Sequence, residues 1–212
     1  MRAYIGIDPG TESMGVALYF PENLSIETKK LSRKDVLEDY TDGKPSTFNI
    51  INGYYKATQH TIESYQEQHD IQLMWIERTF SIHNPILSPT LVVLTTIIKE
   101  ELQMKAVSVK HWRKVLTEKG NISKKDCIEL LKQSFPLLVD KSNDEVEAVG
   151  IAIAGAIENN EINPLKPFSN REIRKINRKR KTKNGKKHVS SKSVDGDLSS
   201  ELNVERDDSS SS

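Results

Sequence analysis

Hydrophobic positions recur along this chain in two rhythms, one alternating and one helical, and the rhythm changes several times before residue 165. The run YIGIDPGTESMGVALYF contains two stretches of strand-forming residues, 3–8 and 14–20, parted by Asp8, Pro9, Gly10 and Thr11. That turn chemistry predicts a hairpin. A third extended stretch near 24–31 enlarges it to an antiparallel meander of three strands. From 47 to 69 the residues Ile51, Tyr54, Thr58, Ile62 and Tyr65 follow one another at three- and four-residue intervals, which predicts an amphipathic helix. The run IQLMWIE, 71–77, is short and apolar, as suits a strand covered on both faces. Pro85 and Pro89 mark the next loop, and Pro89 stands near the start of a helix reaching about Lys105. A short strand over 106–109 follows, then a helix over 123–135 with Ser123 as its N-cap. The last element, SNDEVEAVGIAIAGAIE, predicts a helix from about Asp144 to Asn159, capped by Ser142 or Asn143. Its small residues Ala148, Ala152, Gly155 and Ala156 fall on one side and permit close approach to a sheet.

The resulting order, βββ-α-β-α-β-α-α, belongs to the α/β class and predicts a mixed β-sheet flanked by helices. The periodicity stops near Phe168, so residues 1–165 are assigned to one domain and 166–212 to a charged tail. The formal charge of +1 conceals a segregation. Residues 1–170 carry 19 Lys/Arg against 23 Asp/Glu, net −4; residues 171–187 carry 10 against 1, net +9; residues 188–212 carry 2 against 6, net −4. Neither half of that tail offers apolar material to bury, so disorder is the expectation for both.

Cys127 is the lone cysteine, which excludes an internal disulfide and a cysteine-built zinc site, and it reads as a core or interface thiol. No stretch approaches the roughly 18 apolar residues of a membrane span, and Met1 and Arg2 lead directly into a strand-like run. A soluble, intracellular protein is expected.

Four acids stand out by position. Asp8 ends the first strand beside Ile5 and Ile7, and Glu77 ends the IQLMWIE strand in the same manner. Taken singly, Asp8 is equally well a turn-forming residue and Glu77 a charge where a strand meets solvent. Parallel neighbouring strands would bring both to one sheet edge, where ligands of open α/β sheets collect. Asp144 and Glu147 lie three residues apart in the first turn of the final helix and so share a face, whereas Glu145 points away and fits a helix-start acid. Converging carboxylates are tolerated when protonated or neutralised by hard cations, for which Mg²⁺ or Mn²⁺ is the natural occupant.

These positions, in order and local context, resemble the catalytic motifs of RuvC-type Holliday junction resolvases, members of the RNase H-like nuclease superfamily. IGIDPGT with Asp8 resembles the first motif, WIERTF with Glu77 the second, and NDEVEAVGIAIA the last. The family usually carries two aspartates at i and i+3 in that last motif. Here the second is Glu147, which keeps the charge and lengthens the arm. The resemblance spans roughly residues 3–160 and implies an RNase H-like fold and a crossover junction endodeoxyribonuclease acting on branched DNA as a homodimer. It further implies two Mg²⁺ ions per active site, with Mn²⁺ able to substitute, held by Asp8, Glu77, Asp144 and Glu147.

Phe80 matches the aromatic that inserts at the crossover, and VKHWRKVLTEKGNISKKD resembles the stretch whose lysines contact scissile phosphates. Lys110, Lys124 and Lys125 lie in it, Lys124 being also a candidate catalytic residue. Arg174, Arg178 and Arg180 in the basic tail are expected to add DNA contacts without sequence preference. Leu91, Leu94, Ile97 and Ile98 give either a dimer surface or ordinary core packing. Trp75 reads as core, Trp112 as a further candidate for stacking on bases, and His83 and His111 as surface or packing residues. The expected location is the cytoplasm of a bacterial or phage-infected cell, or the nucleus if the host is eukaryotic or the protein viral. Two alternatives remain open: an RNase H-like nuclease for flaps or RNA–DNA hybrids, and an actin-like ATPase, whose phosphate hairpin shares the D-x-G-T turn but needs a second glycine-rich hairpin that this chain lacks.

Overall fold

Strand β1 (Arg2–Asp8) is buried without interruption from Ala3 to Ile7, the pattern of a central strand packed on both sides. The computed structural model describes residues 1–78, 89–119 and 121–165, all within the first of two units of the chain, Met1–Pro167. Around β1 lie β2 (Ser13–Phe20), β3 (Ser25–Ser32), β4 (Asp70–Glu77) and β5 (Lys105–Val107), in the order β3-β2-β1-β4-β5. The β1–β2 and β2–β3 pairs are antiparallel and form the expected meander, while β4 and β5 join in parallel.

Side-chain alternation divides the core in two. Ala3, Ile5 and Ile7 of β1, with Val16, Leu18 and Phe20 of β2, pack against α1 (Arg33–Tyr40), α2 (Thr47–Gln68) and α3 (Pro89–Glu101). Tyr4, Ala17, Tyr19 and Trp75 face the other way, toward α4 (Val109–Thr117), α5 (Lys124–Ser134) and α6 (Asn143–Glu158). The mixed sheet flanked by helices is thus as expected. Among the described residues no helix is long and apolar enough to cross a membrane.

Helix α6 is buried from Glu145 to Ile157 because it lies almost on the sheet. A Cβ on Gly6 would stand 2.1 Å from the Ala148 carbonyl oxygen, and one on Gly15 would stand 2.1 Å from that of Asp144. The small residues expected to permit close approach are therefore matched by glycines on the strands beneath. Gly15 seats the first turn of α6, and with it Asp144, directly over the β1–β2 hairpin.

Several expectations are corrected. Helices α1 and α4 are additional to the predicted set. Helix α1 is about two turns long and buries only Val36 and Leu37, so Ser32 at its N-cap is its clearest signal, whereas α4 carries Val109, Trp112, Val115 and Leu116 at helical spacing behind Ser108, a readable but short pattern. Strand β5 ends at Val107, since Val109 already begins α4. Helix α3 stops at Glu101, short of Lys105, and Gln103 follows with a left-handed φ of 51°. Phe80, His83, Arg174, Arg178, Arg180 and the tail from 166 lie outside the described residues.

Candidate active site

Parallel pairing of β1 with β4 aligns Ile7 with Ile76, so Asp8 and Glu77 follow side by side at the carboxyl ends of adjacent strands. The N-terminus of α6 meets the same edge. Ser142 caps it, and Glu145 completes a capping box by accepting from the Ser142 backbone N–H at 3.0 Å. Glu145 also accepts from Thr28 Oγ1 at 2.8 Å, so this acid serves the cap, as its position suggested. Asp144 and Glu147 are left to face the strand ends.

Three of the four acids are held by protein donors. Ser13 Oγ donates to Asp144 Oδ2 across the hairpin. Trp112 Nε1 donates to Glu77 Oε2 at 2.8 Å. Glu147, 3% exposed, takes Arg113 Nη2 on Oε1 at 3.0 Å and Lys124 Nζ on Oε2. Asp8 has no hydrogen-bond donor among the described residues and stands against the other acids. Its carboxyl is pushed well above the ordinary value by burial first, then by the charges of Glu77, Glu147 and Asp144, with Lys124 opposing. Glu77 is raised as well, by burial ahead of the Glu147 charge, while the Trp112 hydrogen bond, Arg113 and Lys124 pull the other way. For Lys124, burial favours the neutral amine, but Glu147, Asp8 and Asp144 outweigh it and raise its pKa.

The four sequence-predicted acids are therefore mutually interacting, with Lys124 among them. Four carboxylates against two cations leave an excess of two negative charges when all are ionised. Such an oxygen-rich, anionic set fits a hard divalent cation. Among the described residues no three His, Cys, Asp or Glu side chains stand in ion-holding geometry as placed; Asp144, Glu77 and Glu147 are bonded to Ser13, Trp112, Arg113 and Lys124.

The other candidates separate. Lys110 and Lys125 are exposed, on the first turns of α4 and α5, and neither pairs with an acid of the cluster. Trp75 is core, as read. Trp112 is fully buried, which excludes base stacking and corrects that expectation. His111 is exposed and pairs with Glu158 at 2.8 Å, a surface role. Cys127 is buried and its thiol is pushed up to about 12 by burial, as befits an inert core residue. Ser13 and Arg113 were not singled out from sequence. Ser13 lies next to the predicted turn, a weak signal, and Arg113 offered none, since α4 itself was not foreseen.

No protein-family model matches the chain, and no curated protein sequence does. In fold the chain is similar to a Thermus thermophilus RuvC structure, with a TM-score of 0.56 at 13% identity, covering 74% of this chain and 95% of that one. It is likewise similar to T. thermophilus RuvC in complex with Holliday junction substrate, with a TM-score of 0.55 at 12% identity, covering 79% of this chain and all of that one. At such identities the likeness is one of architecture, and the chain has an RNase H-like α/β fold.

Proposed function

We propose that this chain is a metal-dependent, structure-selective endodeoxyribonuclease that resolves four-way DNA junctions by paired nicks. The observation that carries the reading is the meeting of Asp8, Glu77, Asp144 and Glu147 at one sheet edge, on three separate elements, with the Asp8 carboxyl raised by burial and then by its three acidic neighbours. An arrangement so costly in repulsion suits a site built for cations. The fold, shared with a protein whose structure includes a junction, supports DNA as the polymer acted on.

In this reading the four acids hold two Mg²⁺ ions, with Mn²⁺ able to substitute. When bound, the ions supply activation of a water and charge stabilisation at the leaving oxygen. Lys124, its side chain 56% exposed, turns from Glu147 to a scissile phosphate oxygen, while Lys110 and Lys125 contact flanking phosphates. Phe80 enters the crossover, and Arg174, Arg178 and Arg180 hold the backbone without reading sequence. Two copies act together, since a two-fold substrate is matched by two-fold protein symmetry. Helix α3 suits that contact: Leu94 and Ile98 are core, whereas Leu91 and Ile97 stay partly exposed and Val93 is 45% exposed.

Cleavage of a synthetic four-way junction, linear duplex, flap and RNA–DNA hybrid is to be compared for the wild type and Asp8→Asn. Symmetric Mg²⁺-dependent nicks confined to the junction and absent from Asp8→Asn support the resolvase, whereas preference for hybrid or flap substitutes the alternative nuclease. ATP turnover without DNA would overturn both. Truncation after Phe168 weakens junction affinity and flattens its slope against log salt, while leaving Mn²⁺ affinity unchanged. An unchanged slope removes the tail from DNA binding.

A further inference from the structure

We propose that α4 aligns the acidic centre, with its consecutive residues Trp112 and Arg113 acting as positioning residues for Glu77 and Glu147, an inference that rests on the nuclease reading above. Neighbouring residues of an α-helix point about 100° apart. One helix can therefore reach two acids that belong to different elements, here β4 and α6. The contacts span 35 and 34 positions of chain, so nothing local requires them.

Trp112 is fully buried, and its ring is wedged so tightly against α6 that a Cβ on Gly150 would come within 2.9 Å of Cζ3. Its orientation is thereby set by packing. The one polar atom of the side chain then fixes Glu77 Oε2, and Oε1 is left without a protein donor among the described residues.

Arg113 differs from Lys124, the second cation on Glu147. Its side chain is 12% exposed, against 56% for Lys124, and its guanidinium lies 5.2 Å from the Trp112 ring. Its Nη2 donates to Glu147 Oε1 at 3.0 Å, while its buried Nε has no hydrogen-bond partner among the described residues, so the planar group is held by packing and by this one acid. Arg113 is the permanent partner that holds Oε1, whereas exposed Lys124 on Oε2 can leave when a cation or phosphate arrives. Indirect partners of this kind orient ligands and typically set about 10–100-fold of metal affinity.

The test uses the full chain without DNA and Mn²⁺ as probe, with affinity read by calorimetry and by the Mn²⁺ paramagnetic resonance signal. Trp112→Phe keeps a ring and deletes the donor; Arg113→Lys keeps the charge and deletes the planar guanidinium. Each is expected to lower Mn²⁺ affinity about tenfold while circular dichroism still reports a folded protein. The Trp112→Phe loss should shrink in a Glu77→Asp background, and the Arg113→Lys loss in a Glu147→Asp background, because each keeps a carboxylate for Mn²⁺ but withdraws it from the donor, a coupling that general loosening of the core would not produce. Wild-type Mn²⁺ affinity in both variants, or losses that persist unchanged in those backgrounds, overturns the inference. If Asp8→Asn abolishes Mn²⁺ binding in the same series, that failure is confined to α4. If Asp8→Asn binds Mn²⁺ like the wild type, the nuclease reading falls and takes this inference with it.

Discussion

On the face covered by α1–α3, the buried groups are neutral hydroxyls: Thr58, Thr61 and Thr95 donate to carbonyls one turn back in their own helices, those of Tyr54, Ala57 and Leu91, at 2.7, 2.7 and 2.8 Å, with weaker contacts from Thr58 to Met14 Sδ at 3.4 Å and from Lys29 Nζ to Thr61 at 3.2 Å. On the face covered by α4–α6, buried or half-buried carboxylates are reached across the fold: Glu77 by Trp112, Glu147 by Arg113 and Glu145 by Thr28, over 35, 34 and 117 positions of chain. Neutral hydroxyls whose shortest bond lies within their own helix ask little of its neighbours. Carboxylates satisfied between elements lose a partner if an element shifts. One face is thus a conventional core that supports stability, and the other trades easy packing for control over where four carboxylates sit.

The sharpest break of that contrast is Asp8→Asn. It removes a proposed ligand, so Mg²⁺-dependent junction cleavage should fall by more than the roughly 100-fold that bounds loss of a supporting partner. Measured without metal, the same variant should melt higher than the wild type, because a charge facing three others has gone; an unchanged or lower Tm would contradict the crowding of acids at this edge.

Leu94→Ala tests the opposite face. Leu94 is fully buried, and truncation should cost about 2–5 kcal/mol in denaturant unfolding. Mn²⁺ affinity of the folded fraction should stay at the wild-type level. Ser142→Ala is smaller in energy, about 1 kcal/mol for loss of the cap. It should nevertheless lower Mn²⁺ affinity, since α6 carries Asp144 in the turn that Ser142 caps and Glu147 just beyond it.

The smallest effect is on pH dependence. The folded pKa of Asp8 lies above its ordinary value of 3.8, so the folded state holds the proton more tightly than the unfolded chain does. The associated stability is fully present below that ordinary value and is lost as pH rises through the folded pKa. Glu77, raised from 4.5, acts in the same sense, and Glu145, lowered from 4.5, in the opposite one, its stability being lost as pH falls through its folded pKa. In metal-free protein, the Tm difference between Asp8→Asn and wild type should therefore widen as pH rises from the ordinary carboxylate range toward neutrality. A difference independent of pH would show that Asp8 is not perturbed.

The sheet meander, the long helices α2, α5 and α6 and the two strands ending in Asp8 and Glu77 were legible from periodicity, because each spans enough residues to repeat a pattern. Helix α1 was not, being about two turns long with two buried positions, and α4, though Val109, Trp112, Val115 and Leu116 stand at helical spacing, spans only about two turns next to the short strand β5. The four acids could be named from their places at strand ends and a helix start, since chain order and element type decide which residues reach an edge. Their partners could not. Trp112, on a helix not foreseen, had the profile of a residue for stacking and proved to be a buried donor to Glu77; Arg113 looked like any surface charge.

By itself the amino-acid order determined the kinds of element, the face each one buries and the acids that terminate them, because propensity, capping and periodicity act over a few residues. Tertiary structure alone decided that α6 rests on Gly6 and Gly15 and that α4 grips two acids some 35 positions away. Close approach and buried charge pairing depend on which surfaces meet, and no local pattern encodes that meeting.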